Sequence, residues 1–163
     1  MYIGGIEYDS IVDGEGLRNT IFISGCNHRC KNCHNKQIWD FSFGINFTID
    51  KQLEFIQKCK DNILLDGITI SGGDRFYSCK DVIDFLKLYK KEIPYHNIWI
   101  YSGFTYEEIL NDKEKKELLM LCDVLVDGLY KEELRDITLK FRGSSNQRII
   151  NIDKNINNST DTK

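Results

Sequence analysis

The sequence predicts an α/β fold, a partial, open (β/α) barrel built on a mostly parallel, curved sheet. Short β-branched strands alternate with amphipathic helical stretches, the pattern of parallel strands joined through helices. Three of those strands end in chemically unusual loops, "SGCNHRCKNCHN" (24–35), "SGGD" (71–74) and "SGF" (102–104). Parallel sheets carry their ligand loops beyond the carboxyl ends of the strands, which is where all three fall. The chain has 163 residues, too few for a closed eight-unit barrel of about 250 residues but enough for one domain with one core. Residues 1–152 are read as that domain, and the polar tail 153–163 is expected to fray.

The elements follow in order. "TIFIS" (20–24), β-branched, aromatic and stopped by Gly25, is a buried strand leading straight into the cysteine loop. "IDKQLEFIQKC" (49–59) spaces Ile49, Leu53, Ile56 and Cys59 as one helical stripe. "GITIS" (67–71) is a second strand, broken by Gly72 and Gly73. In "SCKDVIDFLKLYKK" (78–91), Ser78 and Asp81 give an S-x-x-D helix start, with Val82, Ile83, Leu86 and Tyr89 as its buried stripe. "NIWIYS" (97–102) is a third strand. Thr105 and Glu108 form a T-x-x-E capping box for the next helix, and "KEKKELLMLC" (113–122) continues helical. "DVLVD" (123–127) and "QRIINI" (147–152) are the last strands.

Composition narrows the function. With 41% hydrophobic and 29% charged residues the chain is that of a folded, water-soluble protein. A net charge of −3 offers no electrostatic reason to expect nucleic acid or an anionic membrane as partner. The N-terminus lacks the basic and apolar regions of a signal peptide, so a cytoplasmic location is expected. There the six cysteines would stay reduced, which favours metal or redox chemistry over disulfides.

Cys26, Cys30 and Cys33 stand in a C-x3-C-x2-C spacing on one Gly/Asn/Lys-rich loop, where three packed core cysteines have no core to enter. Zinc is one reading, with His28 completing a Cys3His tetrahedron; His34, adjacent to Cys33, is a poorer fourth ligand. An iron–sulfur cluster is the other. Ordinary 4Fe–4S clusters take four cysteines, so three leave one iron open for substrate. Cys59 and Cys122 end helical stretches and read as small buried hydrophobes, with Cys79 less plainly so.

This spacing resembles the radical S-adenosylmethionine superfamily, whose mark is CxxxCxxC with an open fourth iron, and SGGD resembles that superfamily's GGE/GGD loop. The resemblance implies a 4Fe–4S cluster on Cys26, Cys30 and Cys33 and S-adenosylmethionine as cosubstrate. It places the adenine near Asn32, where an aromatic residue is often found, and near His34. It implies that the methionyl end lies against Gly72, Gly73 and Asp74, with Ser102 near the ribose or carboxylate. Arg75 stands where a proline is usual, which predicts a less rigid turn. Longer stretches, "DSIVDGEGLRNTIFISGCNHRCKNCHN", "IWIYSGFTYEEI" and "CDVLVDGLYKEELRDITLKFRGSSNQRIINI", resemble the activating proteins of anaerobic (class III) ribonucleotide reductases. That implies hydrogen abstraction from a reductase glycine to leave a glycyl radical, with a one-electron donor such as reduced flavodoxin. "FRGSSNQR" (141–148) is then expected near the partner or the cosubstrate, Arg142 and Arg148 being able to bind carboxylates. A radical activase of another glycyl radical enzyme, of pyruvate formate-lyase type, and a zinc- or cluster-stabilised binding module are the alternatives.

Overall fold

The computed structural model describes residues 1–154; the tail expected to fray lies, from residue 155 on, outside the described residues. In chain order the strands are β1 (Tyr2–Ser10), β2 (Arg18–Ile23), β3 (Ile45–Asn46), β4 (Gly67–Gly72), β5 (Asn97–Tyr101), β6 (Val124–Asp127) and β7 (Arg148–Asn151). The helices are α1 (Ile49–Asp61), α2 (Lys80–Glu92), α3 (Tyr106–Leu110) and α4 (Lys113–Met120). All seven strands form one open sheet in the order β3-β1-β2-β4-β5-β6-β7. The four central strands run parallel, as expected. Both edges are antiparallel: β1 pairs with β2 and β3, and β7 returns against β6. The expected sheet is thus parallel only in its middle. β1 was absent from the strands read in the sequence, because "YIGGIEYDS" has two glycines and no β-branched run to mark it.

Side-chain alternation divides the sheet. Ile21, Ile23, Ile68, Ile70, Ile98, Ile100 and Leu125 enter the main core with the helices. On the other face Trp99, Val124 and Val126 form a smaller cluster with Tyr101 and Phe141. In α1 the buried residues are Gln52, Phe55, Ile56 and Cys59, whereas Ile49 and Leu53 are exposed. The predicted stripe is rotated because Phe55 stacks with Phe47, Phe85 and Tyr89, and that aromatic cluster sets which face turns inward. The Thr105–Glu108 capping box forms as read: Glu108 N–H donates to Thr105 Oγ1 (3.2 Å) and Thr105 N–H to Glu108 Oε2 (2.8 Å). The S-x-x-D start does not. α2 begins at Lys80, Ser78 closes a 3₁₀ turn through its backbone N–H, and Asp81 faces Arg75 at 3.8 Å instead.

The segment 11–18, to which the sequence reading assigned no role, seals the lower end of the sheet. Arg18 is buried and extends beneath the strands. Its guanidinium donates to Thr69 Oγ1 and to the carbonyls of Glu15, Ile68 and Asn97, at 2.7–2.9 Å, with Trp99 stacked at 5.6 Å. Burial pulls its pKa down to about 10. Asp13 accepts from Ser10 and Thr20 hydroxyls, and its carbonyl accepts from Thr69. These bonds fix the amino ends of β2, β4 and β5 and so the direction in which their carboxyl ends point.

Phe85→Ala should lower unfolding free energy by about 3–5 kcal/mol, because it opens a void inside the aromatic cluster. Leu53→Ala, on the exposed side of α1, should change it by under about 0.5 kcal/mol. Denaturant titration of the two variants checks the rotated helix face.

Candidate functional site

All four parallel strands deliver their carboxyl ends to one cavity of about 300 Å³. β2 leads into the cysteine loop, β4 into Gly72–Asp74, β5 into Ser102–Gly103, and β6 into Gly128–Tyr130. Of the residues singled out in the sequence, Cys26, Cys30, Cys33, His34, Gly72, Gly73, Asp74 and Ser102 line this cavity. Asn32 does not; it is exposed, with φ +58°, and its conformation turns the chain between Cys30 and Cys33. Gly143 and Gln147, from the segment 141–148 expected near the partner or the cosubstrate, also line the cavity, as do Tyr101 and Tyr130, to which the sequence reading assigned no role. Tyr130 reaches the cavity from the loop after β6, which no local pattern signals.

The two motif loops are bonded to each other. Gly73 N–H donates to Ile23 O (2.7 Å) and Asp74 N–H to Gly25 O (2.9 Å). A Cβ at Gly73 would lie 2.3 Å from Gly25 O, so glycine is required there by the approach of the cysteine loop. Arg75 does not loosen the turn. It is buried, donates through Nη1 to Ser24 O (2.9 Å), and thereby ties the same two loops together.

Asp74 joins a third loop to them. Its Oδ2 accepts from His28 Nε2 (2.6 Å), Ser102 Oγ (2.8 Å) and Gly103 N (2.8 Å), and its Oδ1 from Phe76 N (3.1 Å). Because a carboxylate only accepts, His28 Nε2 donates to Asp74, while its Nδ1 is hydrogen-bonded to the Tyr77 hydroxyl at 3.1 Å. Tyr77 and Phe104 enclose the imidazole, with ring centroids 4.9 and 4.8 Å away. Both nitrogens of His28 are therefore engaged, and its role as a zinc ligand has no free donor. Among the described residues no three Cys, His, Asp or Glu side chains converge on a single ion. A ligand's ammonium group approaching Asp74 would have to use Oδ1, which holds one donor; Oδ2 is filled by the protein.

The three thiols are free and half-buried. Burial pushes Cys26 and Cys30 up from the usual thiol range, and negative neighbours add to it, Asp74 for Cys26 and Cys33 for Cys30. Clustered thiols that resist ionising alone are stabilised as thiolates by a positively charged iron centre, so the donor set fits one. The other cysteines are structural. Cys59, Cys79 and Cys122 are buried, and desolvation drives Cys79 and Cys122 to about 12.

The segment 141–148 contributes Gly143 and Gln147 to the cavity, but its arginines are used within the fold. Arg148 holds the buried Asp127 and forms a bidentate pair with Glu107 (3.1 and 2.7 Å). Arg142 donates to Gln147 O (2.8 Å).

A family model described as a 4Fe–4S single cluster domain matches residues 12–150. The "anaerobic ribonucleoside-triphosphate reductase-activating protein" of Haemophilus influenzae is 38% identical over 142 residues, covering 85% of this chain and 90% of its own. The protein of that name from Escherichia coli K12 is 38% identical over 84% of this chain and 90% of its own. That of phage T4 is 31% identical over 88% and 93%. The chain belongs to this family of reductase-activating proteins. Within the family's cluster domain, the three-cysteine loop, the GGD turn and the β5 loop of this member are one hydrogen-bonded unit.

In metal-free protein, iodoacetamide should modify Cys26 and Cys30 more slowly at pH 7.5 than it does a model thiol. A raised pKa means less thiolate, so the rate should climb as pH passes 9 while Cys79 stays unreactive. Peptide mass spectrometry at several pH values reads this; Cys26 and Cys30 reacting at the model rate would contradict the stated electrostatics. Asp74→Ala should leave His28, Ser102 and Gly103 without their acceptor and cost about 2–4 kcal/mol. Amide exchange should then accelerate in 26–34 and 102–104 together.

Proposed function

We propose that this protein activates an anaerobic ribonucleotide reductase by generating a glycyl radical on it, through a 4Fe–4S cluster and S-adenosylmethionine. The observation that carries the reading is that three cysteines with no free fourth protein ligand share one cavity with the GGD and β5 loops. Bound there, the cluster with S-adenosylmethionine at its open iron supplies the reductive cleavage to methionine and a 5′-deoxyadenosyl radical.

This chain's residues hold and orient the reactants. Cys26, Cys30 and Cys33 would hold the cluster, leaving its fourth iron without a protein ligand. Gly72, Gly73 and Ser102 line the part of the cavity where the methionyl end would lie, and His34, near Tyr130 at 6.1 Å between ring centroids, borders the side where the adenosine would lie. Asp74 keeps the three loops in register while its Oδ1 remains the carboxylate oxygen nearest to free. The sheet is read as a partial, open (β/α) barrel of radical-S-adenosylmethionine type within a single domain, 1–152. Its unclosed side suits a loop of a protein substrate better than a small molecule, which an open half-barrel cannot enclose. No described helix is long and apolar enough to cross a membrane; a cytoplasmic location is part of the proposal.

Reconstituted anaerobically, the protein should hold four irons per chain and, once reduced, yield methionine and 5′-deoxyadenosine. Mixing with the reductase should give a glycyl radical signal in electron paramagnetic resonance. Cys26→Ala, Cys30→Ala and Cys33→Ala should each abolish both. One zinc and no colour would overturn the reading, and a glycyl signal confined to pyruvate formate-lyase would redirect it to that enzyme class.

A further inference from the structure

Phe141 holds a conformation that its own side chain opposes. Its φ is +62°, in the left-handed region where Cβ crowds the following carbonyl oxygen. A bulky residue stays there only when its surroundings over-determine it, and two contacts do so. The Tyr101 hydroxyl donates to Phe141 O at 2.6 Å, and the Phe141 ring meets Trp99 edge-on with centroids 5.3 Å apart. Burial, with Asp13 nearby, pushes the Tyr101 phenol above its usual range, so it stays a donor. The next residue carries a second mark of tension: Arg142 keeps a buried Nε without a partner.

The pair stands at the root of one cavity wall. Tyr101 lines the cavity itself, while the Phe141 ring lines a separate cleft with Arg18 and Trp99. Two residues on is Gly143, where a Cβ would come within 3.1 Å of the Tyr130 ring, and Tyr130 stands beside His34. Gln147 ties the segment to itself: its Oε1 accepts from Gly143 N (2.9 Å) and Ser144 N (3.2 Å), and its Nε2 donates to Gly128 O (3.0 Å). The wall therefore moves as a unit, and the backbone at Phe141 sets where that unit begins.

We propose that Tyr101 and Phe141 are positioning residues for the cosubstrate cavity, an inference that rests on the function proposed above. The Tyr101 hydroxyl holds Phe141 left-handed, and that conformation places Gly143 and Tyr130 in the wall. Without the bond, Phe141 relaxes to negative φ, which redirects the chain at 142–143 and carries the wall with it. The effect falls on cosubstrate affinity, because the wall gives the cavity its shape.

Tyr101→Phe keeps the ring and removes only the hydroxyl. In the reconstituted protein it should raise the dissociation constant for S-adenosylmethionine, read by equilibrium dialysis, at least about fivefold, and slow saturated turnover by less. Without cosubstrate, amide exchange over 141–147 should accelerate in the same variant. In a Phe141→Gly background, loss of the hydroxyl should change the affinity by less than about twofold, because glycine takes φ +62° without a tether. A bond that only stabilised the fold would cost the same in both backgrounds. Unchanged affinity, unchanged exchange, or an equal loss in both backgrounds would each overturn the positioning role and leave the function standing. Unaltered, cluster-loaded protein that binds no S-adenosylmethionine would overturn the function and this role with it.

Discussion

The carboxylate of Asp74, buried among donors from three loops, holds the functional end of this molecule in one arrangement. His28 brings the cysteine loop to it, Ser102 and Gly103 bring the loop after β5, and Phe76 N–H fixes the turn to which Asp74 itself belongs. A buried charge left without its donors is costly, so these bonds form together or not at all. The loops that line the cavity are therefore set by hydrogen bonds within the protein.

That arrangement depends in turn on the sheet below it. Arg18, with its guanidinium bound to backbone carbonyls beneath β2, β4 and β5, fixes the strands at their amino ends, and the parallel register carries this order to their carboxyl ends. The two ends serve different needs. The lower is plugged by buried hydrogen bonds and an aromatic stack, and the upper is left open where chemistry requires access. The antiparallel edges, β1 with β3 and the returning β7, widen the sheet without closing it.

Much of this was legible beforehand, and the misses have physical causes. Strands β2, β4, β5 and β6 announced themselves through β-branched runs stopped by glycine or polar residues, and the Thr105 capping box formed because its two bonds are local. Helix α1 was placed correctly but rotated in expectation, since Ile49 and Leu53 are as apolar as Phe55 and only the aromatic partners on α2 choose between faces. Ser78 and Asp81 look like a helix start in isolation, yet Ser78 is used by the preceding turn and Asp81 faces Arg75. Arg75 itself, read as a loosened turn, is a tie, because the carbonyl it binds belongs to Ser24, 51 residues earlier.

By itself the sequence determined the donor chemistry: three cysteines at a spacing only a metal centre explains, two glycine loops, and enough alternation of strand and helix to align them. It could not determine who satisfies whom. That His28 belongs to Asp74 and Tyr77 and has no nitrogen left for a metal, and that Asp74 faces inward to four protein donors, were decided by tertiary structure. The reason is that these hydrogen-bond partners stand 28 to 51 positions apart in the chain, a separation that local spacing does not encode.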